Sequence, residues 1–167
     1  IGVPRRHPNP RGVAIQARVN METMRADGAT VPSGGLISVF EPATGPGIRV
    51  DTFGYAGYTT SPRYDSLLAK LITHTPSPSF HDALARTYRA LCEFRIEGVD
   101  TNVPFLQALV RNPEVTSANL YTRFVDDHMA DLATAAAAEH PRLFFEEAAV
   151  PDVAPLHAGV ELGTTDP

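Results

Sequence analysis

The segment GVAIQARVN, residues 12–20, alternates apolar and polar side chains with a period of two. This pattern predicts a β-strand with one buried and one open face, because successive side chains on a strand point to opposite sides. The side chains of the predicted buried face are Val13, Ile15, Ala17 and Val19. Gln16, Arg18 and Asn20 would share the other face, where they form a short polar stripe.

The sequence after this strand indicates a mixture of strands and helices. Strands are expected at 36–40, 48–51, 67–74 and 94–99, a loop at 21–35 and a turn at 42–47. Helices are expected from Ser79, which precedes Asp82 at the spacing of a capping box, from Thr101 or Asn102 to Leu109, and from Leu120 to Leu132. The fold class is therefore α+β, a small and mostly antiparallel sheet with helices packed on one side.

The 167 residues suit one domain with short flanking segments. The proline-rich residues 1–11 indicate a lead-in loop and residues 12–132 the folded domain. Residues 133–167 begin with an alanine run and indicate a linker or tail towards a following domain. A start at Ile1 without Met suggests a piece of a longer protein.

Composition narrows the classes of function. The formal net charge of −5 argues against a nucleic-acid-binding surface, which needs clustered positive charge. No apolar run approaches the roughly 18 residues of a membrane span, and no signal peptide is visible. One cysteine, Cys92, excludes an intrachain disulfide framework and favours a reducing, cytoplasmic location.

Familiar catalytic motifs are missing from the sequence, including the phosphate-binding P-loop and the metalloprotease H-E-x-x-H. The cluster Asp126-Asp127-His128 could bind a metal, but a solvated helix face is the more common meaning, so no metal site is expected. Cys92 lies beside the core positions of a helix and is interpreted as packing rather than as a nucleophile.

Arg18 and Asp65 are the more informative polar residues. The guanidinium of Arg18 offers a planar fork of donors that suits carboxylate, carbonate or phosphate, whereas the alternative is a surface ion pair of little energetic value. Asp65 precedes the apolar run 67–74, where an acid commonly hydrogen-bonds its own backbone. The residues alone leave both alternatives open.

Four stretches together resemble the C-terminal subdomain of biotin carboxylase, as found in pyruvate and acyl-CoA carboxylases. They appear in the family's order as GVAIQARVN (12–20), VPSGGLISVFEPATGPGIRVD (31–51), YAGYTTSPRYDSLLAKLI (55–72) and GVDTNVPFLQALV (98–110). The resemblance implies an ATP-dependent ligase that forms carboxyphosphate from bicarbonate and transfers the carboxyl group to N1 of carrier-bound biotin.

The resemblance also assigns roles to individual residues. Arg18 would contact bicarbonate and the biotin ureido oxygen, with Gln16 in the same substrate site. Asp65 would orient that site. The apolar Leu120 would pack on the adenine of ATP, and Pro46 and Arg49 would lie in a two-fold dimer contact.

Biotin, ATP and Mg²⁺ are the implied cofactors, with the Mg²⁺ ligands outside these residues. The implied partners are the ATP-grasp portion of the same enzyme, a biotin carrier domain, a carboxyltransferase component and a second copy of the chain. Because the phosphate lid, the Mg²⁺ ligands and the base lie outside the matched stretches, the chain is expected to be inactive alone. The alternative is a non-catalytic dimerisation and docking module.

Overall fold

The computed structural model describes residues 9–63, 65–138 and 140–144. The strands are β1 (Val13–Asn20), β2 (Glu22–Met24), β3 (Thr30–Pro32), β4 (Val39–Glu41), β5 (Ile48–Thr52), β6 (Leu67–Thr75) and β7 (Arg95–Glu97). The helices are α1 (Phe80–Glu93), α2 (Val103–Arg111), α3 (Pro113–Thr116), α4 (Phe124–Asp127) and α5 (Met129–Ala136). None of the helices in these ranges is long and apolar enough to cross a membrane.

The largest sheet has three antiparallel strands in the order β1–β6–β5. β6 is the central strand, and its buried residues include Leu71 and Thr73, both fully inaccessible to solvent. β1 alternates as predicted, with Ala17 and Val19 buried and Gln16 and Arg18 exposed. The antiparallel α+β class is thereby confirmed, and two further two-stranded pairs, β2–β3 and β4–β7, complete it.

Helix α1 covers one face of the three-stranded sheet. Ser79 caps it, its hydroxyl accepting the Asp82 N–H at 3.2 Å, as the sequence predicted. The apolar stripe of α1, which includes Leu84 and Leu91, packs in one cluster with Ala17 and Leu71 of the sheet. Each such leucine contributes about 1.5–3 kcal/mol by leaving water, so this packing keeps the sheet in place.

Two threonine hydroxyls meet inside this interface. The Oγ1 atoms of Thr73 on β6 and Thr87 on α1 lie 2.6 Å apart, and both side chains are fully buried. Thr87 donates its single hydroxyl proton to the Ala83 carbonyl at 2.8 Å. Thr73 must therefore be the donor between the two hydroxyls.

The direction of this hydrogen bond predicts that two matched substitutions lower the free energy of unfolding by different amounts. Thr87→Val removes the acceptor that the buried Thr73 hydroxyl has among the described residues, and it should lower the free energy of unfolding by about 1–3 kcal/mol. Thr73→Val leaves Thr87 bonded to Ala83, so it should cost about 1 kcal/mol or less. Denaturant unfolding of the two variants checks this order, and an equal or reversed cost would contradict it.

Part of the expected loop 21–35 is a hairpin instead, formed by β2 and β3. At its tip the Asp27 carboxylate accepts the Ala29 N–H, and Gly28 has φ +84°. An Asp-Gly pair favours such turns because the second position needs positive φ. The three-residue strands are too short to show an alternating pattern, which is why the prediction of a loop was wrong here.

The helix predicted from Leu120 to Leu132 is wrong at both ends. Its first residues form a turn, and the chain then makes α4 and α5, which are separated by His128 with a non-helical φ of −111°. α5 continues to Ala136 through the alanine run, because alanine has the highest helix propensity. The strand expected at 36–40 is also shifted, since β4 begins at Val39 and Leu36 makes an isolated bridge to Thr59.

Cys92 lies near the end of α1, on the side that faces α2. It is 2% exposed, and the Gln107 Nε2 donates a hydrogen bond to its Sγ at 3.4 Å. Burial raises the pKa of the thiol above its ordinary value. A buried thiol of raised pKa is a poor nucleophile, which agrees with the interpretation as packing.

The flanking segments of the chain fall mostly outside the described residues. Residues 9–11 have no regular secondary structure, and residues 140–144 return to α1, where the Leu143 N–H donates to the Cys92 carbonyl at 2.9 Å. The rest of the lead-in loop, and the tail from 145 onward, lie outside the described ranges. The proposed division into loop, domain and linker stays a prediction.

Candidate functional site

Arg18 stands on the face of the three-stranded sheet opposite α1, which is called the open face below. Its side chain is 50% exposed, and its position two residues from the exposed Gln16 follows from the alternation of β1. Gln16 and Arg18 of the predicted polar stripe are therefore accessible, whereas the third member, Asn20, is half-buried.

Asp65 lies immediately before β6 and makes two contacts. Its Oδ1 accepts the Leu67 N–H at 2.9 Å, and its Oδ2 lies 3.7 Å from Nη2 of Arg18. The first contact is the local turn bond that the sequence allowed, and the second brings the two candidate site residues together. Both side chains are at least half exposed, so the ion pair contributes at most about 1 kcal/mol to stability.

The carboxylate of Glu22 joins the two chain segments that carry Arg18 and Asp65. It accepts hydrogen bonds from Asn20 Nδ2 and from Ser66 Oγ, both at 2.8 Å. The adjacent backbone is tied in the same way, since the Met21 N–H donates to the Ser66 carbonyl at 2.7 Å. Sequence reasoning missed Glu22, because it lies 44 positions from Ser66 and no local spacing relates them.

Asn102 fixes the end of β1 from the other side. Its Oδ1 accepts the Asn20 N–H at 2.9 Å and its Nδ2 donates to the Arg18 carbonyl at 3.1 Å. The residue is 8% exposed, so both hydrogen bonds are shielded from water. Asn102 was predicted as a possible cap of α2, and it occupies that position without making a side-chain cap bond. Its side chain instead holds the backbone beside Arg18.

The strand register shows which other side chains share the open face with Arg18. Arg18 of β1 pairs with Lys70 of β6, which pairs in turn with Asp51 of β5. The neighbouring row holds Gln16, Ile72 and Arg49. Directly opposed residues in an antiparallel sheet point to the same side, so the candidate substrate residues and the candidate dimer residue Arg49 share this face.

Arg49 is engaged within its own strand. Its Nε and Nη2 donate to the two carboxylate oxygens of Asp51 at 2.8 and 2.9 Å. This bidentate bond is the main reason that the pKa of Asp51 lies below its ordinary value. The guanidinium is still 74% exposed, and the nearby Pro46 is exposed in a turn whose carbonyl accepts a hydrogen bond from Arg86.

Leu120 lies apart from these strands, in the turn between α3 and α4. It is 50% exposed, as is the neighbouring Tyr121 at 51%. An exposed leucine can pack on a flat ring, but no contact on the described residues tests the adenine assignment. Among residues 9–63, 65–138 and 140–144, no group of three or more His, Cys, Asp or Glu side chains could hold a metal ion.

Comparisons with known proteins show which family the chain belongs to. Residues 16–127 match the family model of the biotin carboxylase C-terminal domain. The biotin-dependent acyl-coenzyme A carboxylase alpha3 subunit of Mycobacterium leprae is 41% identical over 123 residues, which are 71% of this chain and 20% of that protein. Pyruvate carboxylase of Pichia angusta is 42% identical over 118 residues, 70% of this chain and 10% of that protein.

Solved structures agree. The biotin carboxylase domain of a single-chain bacterial carboxylase has a TM-score of 0.69 and 44% identity, covering 77% of this chain and 28% of that one. The biotin carboxylase domain of thermophilic 2-oxoglutarate carboxylase, in a structure bound to bicarbonate, has a TM-score of 0.66 and 32% identity, covering 73% and 27%. This chain thus spans between a tenth and about a quarter of the length of these relatives. On sequence and fold alike, it belongs to the biotin carboxylase C-terminal domain family.

Proposed function

We propose that the chain supplies part of the active site of a biotin carboxylase, and that Arg18 is its catalytic residue. The observation that carries this proposal is the Arg18–Asp65 pair, 3.7 Å apart on the open face of the sheet. Two residues 47 positions apart are brought together there by β1, β6 and the Glu22 and Asn102 hydrogen bonds.

Arg18 acts as an electrostatic stabiliser in this proposal. Biotin, when bound, would supply the N1 atom that takes the carboxyl group, and its ureido oxygen would carry negative charge once N1 has lost its proton. The fixed donor fork of Arg18 stabilises that charge and orients bicarbonate, because a donor already in place needs no reorganisation during the reaction. Gln16 offers a second exposed hydrogen-bonding group two residues away on the same face.

Asp65 is a positioning residue. Its Oδ1 is held by the Leu67 N–H, so its Oδ2 presents a fixed partner to Arg18. Asp65→Asn removes the charge while keeping the size of the side chain. We expect it to reduce the rate of carboxylation less than Arg18→Ala does.

The remaining machinery is proposed to lie in the rest of the enzyme. ATP and Mg²⁺ would bind mainly to an ATP-grasp portion, with Leu120 contributing to the adenine pocket, and the biotin carrier and carboxyltransferase would be partner domains. The short coverage of the relatives supports this division. The 167 residues alone should therefore show no biotin-stimulated ATP hydrolysis, and detection of that activity would overturn the division. A cytoplasmic location remains the prediction supported by the single cysteine.

A second candidate function is dimerisation, favoured by the exposure of Arg49 and Pro46 on and beside an edge strand. Arg49→Glu places a carboxylate next to Asp51 on that surface, so we expect it to shift the complete enzyme from dimer to monomer. Sedimentation velocity checks this. Arg123→Glu is the matched control, because Arg123 is equally exposed and paired with Asp127 of α4, away from Pro46 and Arg49. An unchanged dimer in Arg49→Glu would place the contact elsewhere.

A further inference from the structure

The chain contains a single lysine, and that lysine lies opposite Arg18. Of the 14 Lys and Arg residues, 13 are Arg and one is Lys70. Lys70 is the direct cross-strand partner of Arg18 in the register of β1 and β6. Directly opposed side chains have Cβ atoms about 4.5–5.5 Å apart, and like charges in that position destabilise a sheet. A repulsive pair at the centre of the candidate site requires a physical reason.

The neighbouring carboxylates do not fully compensate these charges. Asp65 approaches Arg18 at a single distance of 3.7 Å, and both oxygens of Asp51 are bonded to Arg49. Lys70 lowers the pKa of Asp51 as a minor cause, which shows that it lies near that carboxylate without bonding it. Among the described residues, no hydrogen bond or ion pair within 4.0 Å engages the half-buried Lys70. Counted together, these groups on and beside the open face are three cations, Arg18, Lys70 and Arg49, against the carboxylates of Asp51 and Asp65.

The presence of lysine rather than arginine at position 70 bears on what this position binds, because the other 13 basic residues of the chain are arginines. An ammonium is a compact point charge with three donors, whereas a guanidinium is a broad planar fork. Beside the fork of Arg18, a second guanidinium would crowd the face, while an ammonium leaves room for a small anion between the two groups.

We propose that Lys70 is the second cationic ligand of the oxyanion that Arg18 binds, and that this oxyanion is bicarbonate. The inference deepens the proposed function and rests on it. The flat anion would bond the fork of Arg18 along one edge and accept from the Lys70 ammonium at a remaining oxygen, which relieves the repulsion between the two cations. Lys70 acts in binding the substrate, while Arg18 acts in binding and in the transition state.

The test is steady-state kinetics of Lys70→Met in the complete enzyme. Loss of one charge-assisted contact to the bound anion should raise the KM for bicarbonate about 10- to 100-fold, with kcat changed less than about threefold and the KM for ATP unchanged. Lys70→Arg keeps the charge but crowds the face with a second guanidinium, so it should recover only part of this affinity. Arg89→Met, an exposed cation lost from α1, is the control and should change neither constant.

Each other outcome has a defined meaning. An unchanged KM for bicarbonate, or a fall in kcat alone, would overturn the assignment of Lys70 while leaving that of Arg18 intact. Full activity of Arg18→Ala would instead overturn the proposed function. Folding is controlled by thermal unfolding, since removal of one of two like charges should leave the midpoint equal or higher. If Lys70→Met unfolds, Lys70→Gln carries the same kinetic test.

Discussion

Arg18→Ala in the complete enzyme is expected to reduce the rate of biotin carboxylation by about 10²–10³-fold. The reason is that the guanidinium would be lost where negative charge develops. Asn102 bonds the backbone carbonyl of Arg18, and Asp65 lies 3.7 Å from its guanidinium. Bicarbonate-dependent ATP cleavage measured with free biotin and with the carrier domain gives the rate. Stability should change little, because the ion pair that Arg18 makes within the described residues is exposed.

Arg89→Ala is the matched control for this experiment. It removes an arginine that is more exposed than Arg18, at 75% against 50%, and that also makes a surface ion pair, but from the helix side of the sheet. Its turnover should be that of the unmodified enzyme. Near-normal turnover of Arg18→Ala would remove Arg18 from the catalytic role.

Leu71→Ala is expected to cost about 2–5 kcal/mol in the free energy of unfolding. Leu71 is completely buried on the central strand and belongs to the same cluster as Leu84 and Leu91 of α1. The missing side chain leaves a cavity between β6 and α1. This cavity cannot collapse, because the residues on both sides of it are closely packed. Chemical denaturation measures the loss.

Leu36→Ala makes the same chemical change at a side chain that is 54% exposed. It should alter the free energy of unfolding by less than about 0.5 kcal/mol. Equal losses in the two variants would mean that β6 is not the centre of the core.

Much of this arrangement could be predicted from the sequence where periodicity or local chemistry is strong. The alternation of β1 correctly assigned Arg18 to the open face, and the spacing of Ser79 and Asp82 located the start of α1. The hairpin at 22–32 was missed because three-residue strands contain no period. The last helix was misplaced because an alanine run was interpreted as linker, although alanine favours helix.

The site was only partly predictable. The proximity of Arg18 and Asp65 came from the family resemblance, since either residue alone fits a surface role. The hydrogen bonds of Glu22 to Ser66 and of Asn102 to Arg18 could not be predicted, because the partners are 44 and 84 positions apart and such bonds leave no local pattern. Lys70 carried a signal that was available from composition, as the one lysine among 13 arginines.

The burial of Cys92 has a practical consequence. It is the one thiol of these 167 residues, it is 2% exposed between α1 and α2, and its raised pKa disfavours the reactive thiolate. A thiol reagent can therefore label the native chain only after this helix pair opens. The labelling rate, divided by that of the unfolded chain, gives the equilibrium constant for opening when reclosure is fast. The chain thus carries its own chemical probe of how often the helical layer separates.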